Sequence, residues 1–301
     1  MIKEFTFIAL TYNHEPYITR HLESVKTLVE KYGREMEIHL ILSDDRSKDR
    51  TVDVARDWLD QYGGIFRSVT ILESEENRGL VHNLTRALRA VPTKHFKYLS
   101  GDDAYYCNNI FELYPIPENA LLVTPLMPLC EKGRSPAPII HYFHLLIWAQ
   151  RRNCLKELMR YSNFFPAPGV FCPCEISRSE EYLDFISAYQ YIEDAPSWQY
   201  LLFQKKLDVK LILKPYVVYR IGSGISMNKK HIARTRYDEE WKRIQKTFGL
   251  KRNILPKYIN PFHYAFKLFE LDTKLHAKEI DELLSVSPEL SEAYAGNGRL
   301  P

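Results

Sequence analysis

The first hundred residues alternate short apolar runs with segments of helical periodicity, and this alternation most restricts the fold. Strands are predicted over residues 5–10, 36–42, 69–72 and 95–99, where β-branched and aromatic residues are frequent. Helices are predicted over residues 17–32, from Thr51 onward and over residues 80–90. Strands that alternate with helices require parallel pairing with right-handed crossovers. The sequence therefore predicts an α/β fold with a mostly parallel sheet flanked by helices.

A polar cluster follows each of these four predicted strands. The clusters are Tyr12-Asn13, Asp44-Asp45, Asn77-Arg78-Gly79 and Asp102-Asp103. Ligands of open α/β sheets bind at the carboxyl ends of the strands, so these side chains are predicted to meet at one edge. Any one cluster could serve only as a loop and a helix cap, as Asp44-Asp45 with Ser47 and Thr51 illustrates. Four clusters in order favour a common binding edge.

The pair Asp102-Asp103 comes directly after Ser100-Gly101 at the end of the fourth strand. Two adjacent carboxylates repel each other unless a cation or a proton lies between them. Carboxylate oxygens suit Mg²⁺ or Mn²⁺ that bridges to phosphate groups. The pair therefore predicts a metal site that handles a nucleotide diphosphate.

Composition excludes several classes of protein. With 301 residues, 45% of them hydrophobic, the chain is long enough for one large domain and an extension. A net charge of +3 gives no argument for nucleic acid as a partner. The five cysteines form no Cys-x-x-Cys pair and are expected to be reduced thiols of a cytoplasmic protein. No apolar run approaches the length of a membrane span, and we expect neither secretion nor membrane insertion.

Four segments carry a recognisable signature in a fixed order: Thr11-Tyr12-Asn13, Ser43-Asp44-Asp45-Arg46-Ser47-Lys48-Asp49-Arg50-Thr51, Glu76-Asn77-Arg78-Gly79-Leu80 and Ser100-Gly101-Asp102-Asp103. Together they resemble the signature of the family 2 glycosyltransferases with the GT-A fold. The resemblance implies a Rossmann-like, mostly parallel sheet flanked by helices. It also implies inverting transfer of a sugar from a nucleotide-diphosphate donor, with Mn²⁺ or Mg²⁺, to an acceptor hydroxyl.

The resemblance assigns roles to residues of the first half. Tyr12 matches the tyrosine beside the base, and Asp45 matches the aspartate that accepts a hydrogen bond from uracil N3, which favours a UDP-sugar. Asp102 matches the metal ligand, with Asp103 beside it, although Ser100 replaces the first acid of the common Asp-x-Asp pattern. The expected donor and metal residues are Thr11, Tyr12, Asn13, Glu15, Asp44, Asp45, Asn77, Gly79, Asn83, Gly101, Asp102, Asp103 and Arg220.

The segment of residues 191–202 resembles the family's Glu-Asp signature that leads into a helix. Asp194 matches the catalytic base, which takes the proton of the acceptor hydroxyl, and Glu193 is its neighbour. Both acids could instead be only the acidic first turn of a helix that Pro196 helps to start. Further on, Arg220 and the basic residues 229–231 are candidates to meet phosphate, and Gly222 stands where many relatives have a histidine.

The implied organisation is a GT-A catalytic domain over residues 1–226 and a helical C-terminal extension over residues 227–301. Within the domain, residues 1–105 form the nucleotide-sugar half and residues 106–226 the acceptor half. Aromatic residues at helical spacing in 231–248 and 260–284 predict helices that pack on the catalytic domain. The same faces could alternatively contact the inner face of a membrane that carries a lipid-linked glycan acceptor.

The expected partners are a nucleotide sugar and a glycan or lipid-linked glycan, within bacterial surface polysaccharide assembly. Two alternatives stay open. A metal-dependent nucleotidyltransferase would also combine carboxylates, metal and nucleotide, but Thr11-Tyr12-Asn13 is not a glycine-rich phosphate loop. A non-catalytic nucleotide-sugar or glycan-binding relative would tolerate the loss of Asp194.

Overall fold

A four-stranded parallel sheet forms the centre of the amino-terminal half in the computed structural model, which describes residues 2–130, 146–147, 149–150, 153–160, 163–221 and 233–250. Its spatial order is β3-β2-β1-β4, with strands β1 (Glu4–Thr11), β2 (Glu37–Asp44), β3 (Ser68–Glu73) and β4 (Phe96–Ser100). All three pairings are parallel. The predicted α/β class and its four strands are confirmed.

Three helices make the crossovers between these strands: α1 (Ile18–Tyr32), α2 (Thr51–Tyr62) and α3 (Leu80–Arg89). The strand register aligns Thr11 with Asp44, and Leu10 with Ser100. Because the strands end at the same level, the loops that follow them share one edge of the sheet.

Two smaller sheets complete the second half. The first has the order β5-β10-β7, from β5 (Ala104–Tyr105), β10 (Val217–Ile221) and β7 (Leu126–Cys130). The second has the order β8-β6-β9, from β8 (Val170–Phe171), β6 (Ala120–Val123) and β9 (Asp208–Leu211). Since β10 pairs antiparallel with β5, it lies beside the turn that carries Asp102 and Asp103.

The remaining described helices are α4 (Leu155–Leu158), α5 (Cys174–Ser177), α6 (Glu180–Ile186), α7 (Asp194–Gln199), which continues as a π-helical turn over Tyr200–Gln204, and α8 (Arg234–Thr247). Helix α8 falls within the helix expected over 231–248. The helix expected over 260–284, Gly222 and the basic residues 229–231 lie outside the described residues. None of the helices in the described ranges is both long and apolar enough to cross a bilayer. The four cysteines whose side chains are described are all free thiols.

Aromatic side chains fill the space between the central sheet and the segment that follows β5. Phe5 and Phe7 are fully buried on β1. Phe5 packs edge to face on Phe111 and Tyr114, with ring centroids 5.2 and 4.9 Å away, and Phe7 packs likewise on Tyr105 at 5.1 Å. Such pairs add to the stabilisation from burial itself. They fix β1 relative to the turn after β4.

His21 joins α1 to that same turn. The side chain is fully buried, and its Nδ1 lies 3.0 Å from the carbonyl oxygen of Asp103. Burial lowers the pKa of His21 to about 4, because the charged ring would lose its hydration inside the protein. The imidazole is therefore neutral in the folded protein at pH 7.

We expect His21 to make the fold sensitive to acid. Between pH 6.5 and 4 the unfolded chain binds the proton that the folded chain excludes, so stability falls as the pH falls, by up to about 3 kcal/mol. Urea unfolding at pH 7 and pH 4.5 measures this loss. In His21→Asn, which removes the titration and keeps an N–H donor, the loss should shrink, whereas an equal loss in both proteins would contradict this origin.

Candidate active site

The loop after β1 is hydrogen-bonded to the loop after β2. The backbone N–H of Asn13 donates to Ser47 Oγ at 2.8 Å, and the backbone N–H of Lys48 donates back to Asn13 Oδ1 at 2.7 Å. The N–H of Arg50 donates to Glu15 Oε2 at 3.0 Å. Asn13 and Glu15, both expected at the donor site, thus use their side chains to shape its rim.

Asp44 and Thr11 form buried hydrogen bonds that stabilise the edge of the sheet. Asp44 is buried, and its carboxylate accepts the Thr11 hydroxyl at 2.8 Å and the Ser47 backbone N–H at 2.8 Å. The Ser47 hydroxyl donates to the same carboxylate at 2.5 Å. These bonds satisfy Asp44 inside the protein, so that its role in this arrangement is to hold the two loops.

Asp45 connects the loop after β2 to the start of α3. Its carboxylate accepts the backbone N–H groups of Arg78 at 2.9 Å and Gly79 at 2.7 Å, and its own N–H donates to the Thr11 carbonyl at 2.9 Å. Burial raises the pKa of Asp45, and the two N–H donors oppose that shift. A carboxylate has more lone pairs than these two bonds use, so Asp45 retains capacity to accept a ligand N–H.

Of the other residues expected to bind the nucleotide sugar, some lie at the edge of the sheet and one lies in the protein interior. Asn83 is buried, where its Nδ2 donates to the Ser43 carbonyl at 2.7 Å and its Oδ1 accepts the Ser43 hydroxyl at 2.7 Å. This pairing between α3 and β2 uses the amide for packing. Tyr12 is half-buried at the end of β1, and Asn77 is exposed in the loop before α3.

Asp102 lies at the end of β4 beside His14. Its side chain is 11% exposed, and Asp102 Oδ1 is 3.9 Å from His14 Nε2. Gly101 permits this approach, since a Cβ there would lie 2.9 Å from His14 Nδ1. Burial lowers the pKa of His14 in spite of the nearby Asp102, so the imidazole is neutral at pH 7. His14 directly follows the first polar cluster, Tyr12-Asn13, but no sequence signal pointed to it.

Asp103, the expected second metal ligand, is hydrogen-bonded to β10. It is buried, its Oδ1 accepts the backbone N–H of Arg220 at 2.8 Å, and burial and the charge of Asp102 raise its pKa. Arg220 Nε donates to the Asp102 carbonyl at 3.1 Å, and the guanidinium lies 4.1 Å from the ring centre of Tyr17. Asp103 therefore holds β10 against the turn. The adjacent side chains of Asp102 and Asp103 leave this turn in different directions.

The side chains at Asp102 fit a metal ion that is coordinated partly by the protein and partly by a substrate. Across the described part of the chain, no group of three or more His, Cys, Asp or Glu side chains could enclose a metal ion. Mg²⁺ sites at phosphates commonly use one or two carboxylates and fill the other positions with phosphate oxygens and water. Asp102, with His14 Nε2 nearby, meets that requirement.

Asp194 and Glu193 lie at the start of α7. Asn163 Nδ2 donates to Asp194 Oδ2 at 2.5 Å, and the N–H of Ala195 donates to Asp194 Oδ1 at 2.6 Å. Burial raises the pKa of Asp194, and burial together with the charge of Asp194 raises the pKa of Glu193. Asn163 carried no sequence signal, because it is 31 positions away from its partner.

Carboxylates of both halves influence the pKa of Tyr219 on β10. Burial raises its pKa, and the charges of Asp103, Asp102 and Asp194 raise it further. A hydrogen bond joins the same two halves, since the Val81 N–H at the start of α3 donates to the Gln190 carbonyl at 3.1 Å in the loop before Asp194.

Gly79 is predicted to be required for the edge. Its φ is +94°, and a Cβ would lie 2.7 Å from the Gln190 carbonyl oxygen. We expect Gly79→Ala to lower the free energy of unfolding by about 1–3 kcal/mol, since both backbones must shift. Gly64→Ala is the matched control, because no atom lies within 4 Å of its Cβ position. Equal denaturant midpoints for the two variants would show that the contact is unimportant.

Comparison with known proteins agrees with this geometry. The profile of glycosyl transferase family 2 matches residues 6–119. A 102-residue stretch is 30% identical to the teichoic acid poly(glycerol phosphate) polymerase of Staphylococcus epidermidis. That stretch is 34% of this chain, and it spans only 13% of the polymerase.

Solved glycosyltransferase structures share the fold. TarS of S. aureus superimposes with a TM-score of 0.53 at 15% identity, over 85% of this chain and 41% of that one. TarS 1–349 in complex with UDP-GlcNAc gives the same TM-score over 97% of this chain and 77% of that one. The mannosyltransferase PcManGT of Pyrobaculum calidifontis, in complex with GDP-Man and Mn²⁺, gives 0.54 at 16% identity, over 99% and 76%. Residues 6–119 of this chain are thus similar to glycosyl transferase family 2, and the chain has the GT-A fold of these solved structures.

Proposed function

We propose that this protein is an inverting glycosyltransferase that moves a sugar from a UDP-sugar to an acceptor hydroxyl. Two acidic groups carry the proposal. Asp102 lies after β4, 3.9 Å from His14 Nε2, and Asp194 begins α7, whose preceding loop is bonded to the start of α3 through the Val81 N–H and the Gln190 carbonyl at 3.1 Å. Inverting transfer needs charge compensation at the leaving diphosphate and a base on the acceptor side of the sugar. In this proposal Asp102 would hold the cation that compensates the diphosphate charge, and Asp194 would be the base.

The donor base is proposed to bind between Tyr12 and Asp45. A half-buried aromatic ring offers a face for stacking, and a carboxylate that already accepts two N–H groups can accept the N3–H of uracil. Structures of TarS 1–349 with UDP-GlcNAc and with UDP support a uridine donor. The complex of PcManGT with GDP-Man makes a guanosine donor the competing choice.

The diphosphate is proposed to lie beside Asp102, where Mn²⁺ or Mg²⁺ would neutralise its charge as it leaves. Asp102 is the protein ligand in this scheme, and Asp103 and Arg220 keep its turn in place. The Mn²⁺ in the PcManGT complex supports a divalent cation at such a site.

Asp194 is proposed to take the proton of the acceptor hydroxyl. Burial raises its pKa, which makes the carboxylate a stronger base, and the Asn163 amide donates to one of its oxygens. Burial and the charge of Asp194 raise the pKa of Glu193 to about 8, so that this neighbour is mostly neutral at pH 7. The polymer named for the Staphylococcus epidermidis relative supports an acceptor in cell-surface glycan assembly, either a glycan or a lipid-linked glycan at the cytoplasmic face of the membrane.

Replacement of the base tests the enzymatic proposal. We expect Asp194→Asn to lower kcat for nucleotide release by about 10²–10⁴-fold. Its affinity for UDP should match that of the wild type, because the side chain lies on the acceptor side. Nucleotide release is measured with UDP-GlcNAc, UDP-glucose, UDP-galactose and GDP-mannose, and UDP binding by calorimetry.

Asp184→Asn is the matched control for Asp194→Asn, since this exposed carboxylate on α6 faces solvent. It should retain wild-type turnover. Turnover by Asp194→Asn at the wild-type rate would exclude Asp194 as the base. If the wild-type protein releases no nucleotide from any donor with or without carbohydrate acceptors, a non-catalytic binding protein becomes the better interpretation.

Metal removal tests the donor site separately. We expect EDTA to weaken UDP binding by about tenfold or more, because the diphosphate then faces the Asp102 carboxylate without a cation between them. Asp102→Ala should lose the Mn²⁺ effect, so that its UDP affinity is the same with Mn²⁺ and with EDTA. A UDP affinity that responds to Mn²⁺ equally in both proteins would refute Asp102 as the ligand.

A further inference from the structure

Glu240 on α8 is a buried acid whose carboxylate is bonded to the loop before α7. Its Oε1 accepts the backbone N–H of Gln190 at 2.7 Å. Its Oε2 accepts the backbone N–H groups of Tyr191 at 2.7 Å and Ile192 at 2.8 Å. Three successive N–H groups thus converge on one side chain that is 8% exposed.

Arg243, one turn further along α8, reinforces this contact. Its Nη2 donates to the Ala188 carbonyl at 2.6 Å and to Glu240 Oε1 at 3.3 Å, and its guanidinium lies 4.9 Å from the ring centre of Tyr189. The helix therefore presents an acceptor to the N–H groups of the loop and a donor to one of its carbonyls.

The same loop is bonded to the donor side of the molecule. The Gln190 carbonyl accepts the N–H of Val81 at 3.1 Å, at the start of α3. Gly79 lies against the same carbonyl and donates its own N–H to Asp45. The Gln190 peptide is consequently held from both sides, by α3 and by α8.

This loop leads directly into the acidic start of α7. Ile192 immediately precedes Glu193, and Asp194 is the first residue of the helix. Hydrogen bonds to a buried charged acceptor are stronger than neutral ones, and an unpaired buried N–H is costly. The carboxylate of Glu240 therefore fixes the peptide planes from which the chain enters α7.

We propose that Glu240 is a positioning residue for Asp194: its carboxylate holds the backbone of residues 190–192 so that the acid at the start of α7 faces the donor site. The inference rests on the proposed role of Asp194 as the base. It extends the active site to α8, within the predicted C-terminal extension.

Hydrogen–deuterium exchange of the full chain tests the contact itself. Glu240→Gln replaces one acceptor oxygen by an NH₂ group that must face a backbone N–H. We expect amides 190–192 to exchange about tenfold faster or more in this variant, the loss expected for one or more charged hydrogen bonds. Glu239→Gln, at the exposed neighbouring position, should exchange like the wild type. Unchanged exchange in Glu240→Gln would overturn the proposal.

Turnover and binding then separate positioning from general stability. With the donor that the wild-type protein uses best, kcat of Glu240→Gln should fall by about 10–100-fold, as expected when a reacting group is displaced by about 1 Å. UDP affinity should stay within about twofold of the wild type. Glu240→Asp, which keeps both acceptor oxygens, should recover part of the lost kcat.

The outcomes distinguish this proposal from the proposed function. If the wild-type protein has no turnover, the proposed function fails, and the positioning role fails with it. If the wild type turns over and Glu240→Gln matches it, only the positioning role fails. If UDP affinity falls as far as kcat, or faster exchange spreads to residues 4–11, Glu240 stabilises the fold in general and the proposal is overturned.

Discussion

The structure depends on backbone hydrogen bonds that converge on the Asp45 carboxylate at the edge of the central sheet. Asp45 accepts the N–H groups of Arg78 and Gly79 and thereby closes the loop before α3 onto the end of β2. The positive φ of Gly79 then lets the Gln190 carbonyl approach the start of α3. Without this contact, the half that is proposed to bind the donor and the half that carries Asp194 would lose a direct connection.

The carboxylates of this fold have two different roles. Asp44, Asp103 and Glu240 are buried, and backbone N–H groups satisfy each of them. Asp102 and Asp194 are more exposed, and the charges of both raise the pKa of Tyr219. The first group organises loops that no regular secondary structure would fix, and the second group supplies the proposed chemistry.

Local periodicity explains why the amino-terminal half could be predicted. Each strand from β1 to β4 is a short apolar run, and the parallel pairing follows from the helices between them. The direction of individual side chains could not be predicted, as the burial of Asp103 beside Asp102 and the interior position of Asn83 show. The role of Glu240 could not be predicted either, because its partners lie 48–50 positions earlier in the chain and its two acidic neighbours, Asp238 and Glu239, make it resemble part of a solvent-exposed acidic run.

The central claim is that a nucleotide diphosphate lies along the edge from Asp45 to Asp102. A crystal structure of the protein with UDP and Mn²⁺, with the cation located by its anomalous scattering, tests this most directly. We expect a Mn²⁺ peak bonded to the Asp102 carboxylate and to phosphate oxygens, with uracil N3 within hydrogen-bonding distance of Asp45. A cation bound away from Asp102, or a uracil that does not contact Asp45, would contradict it.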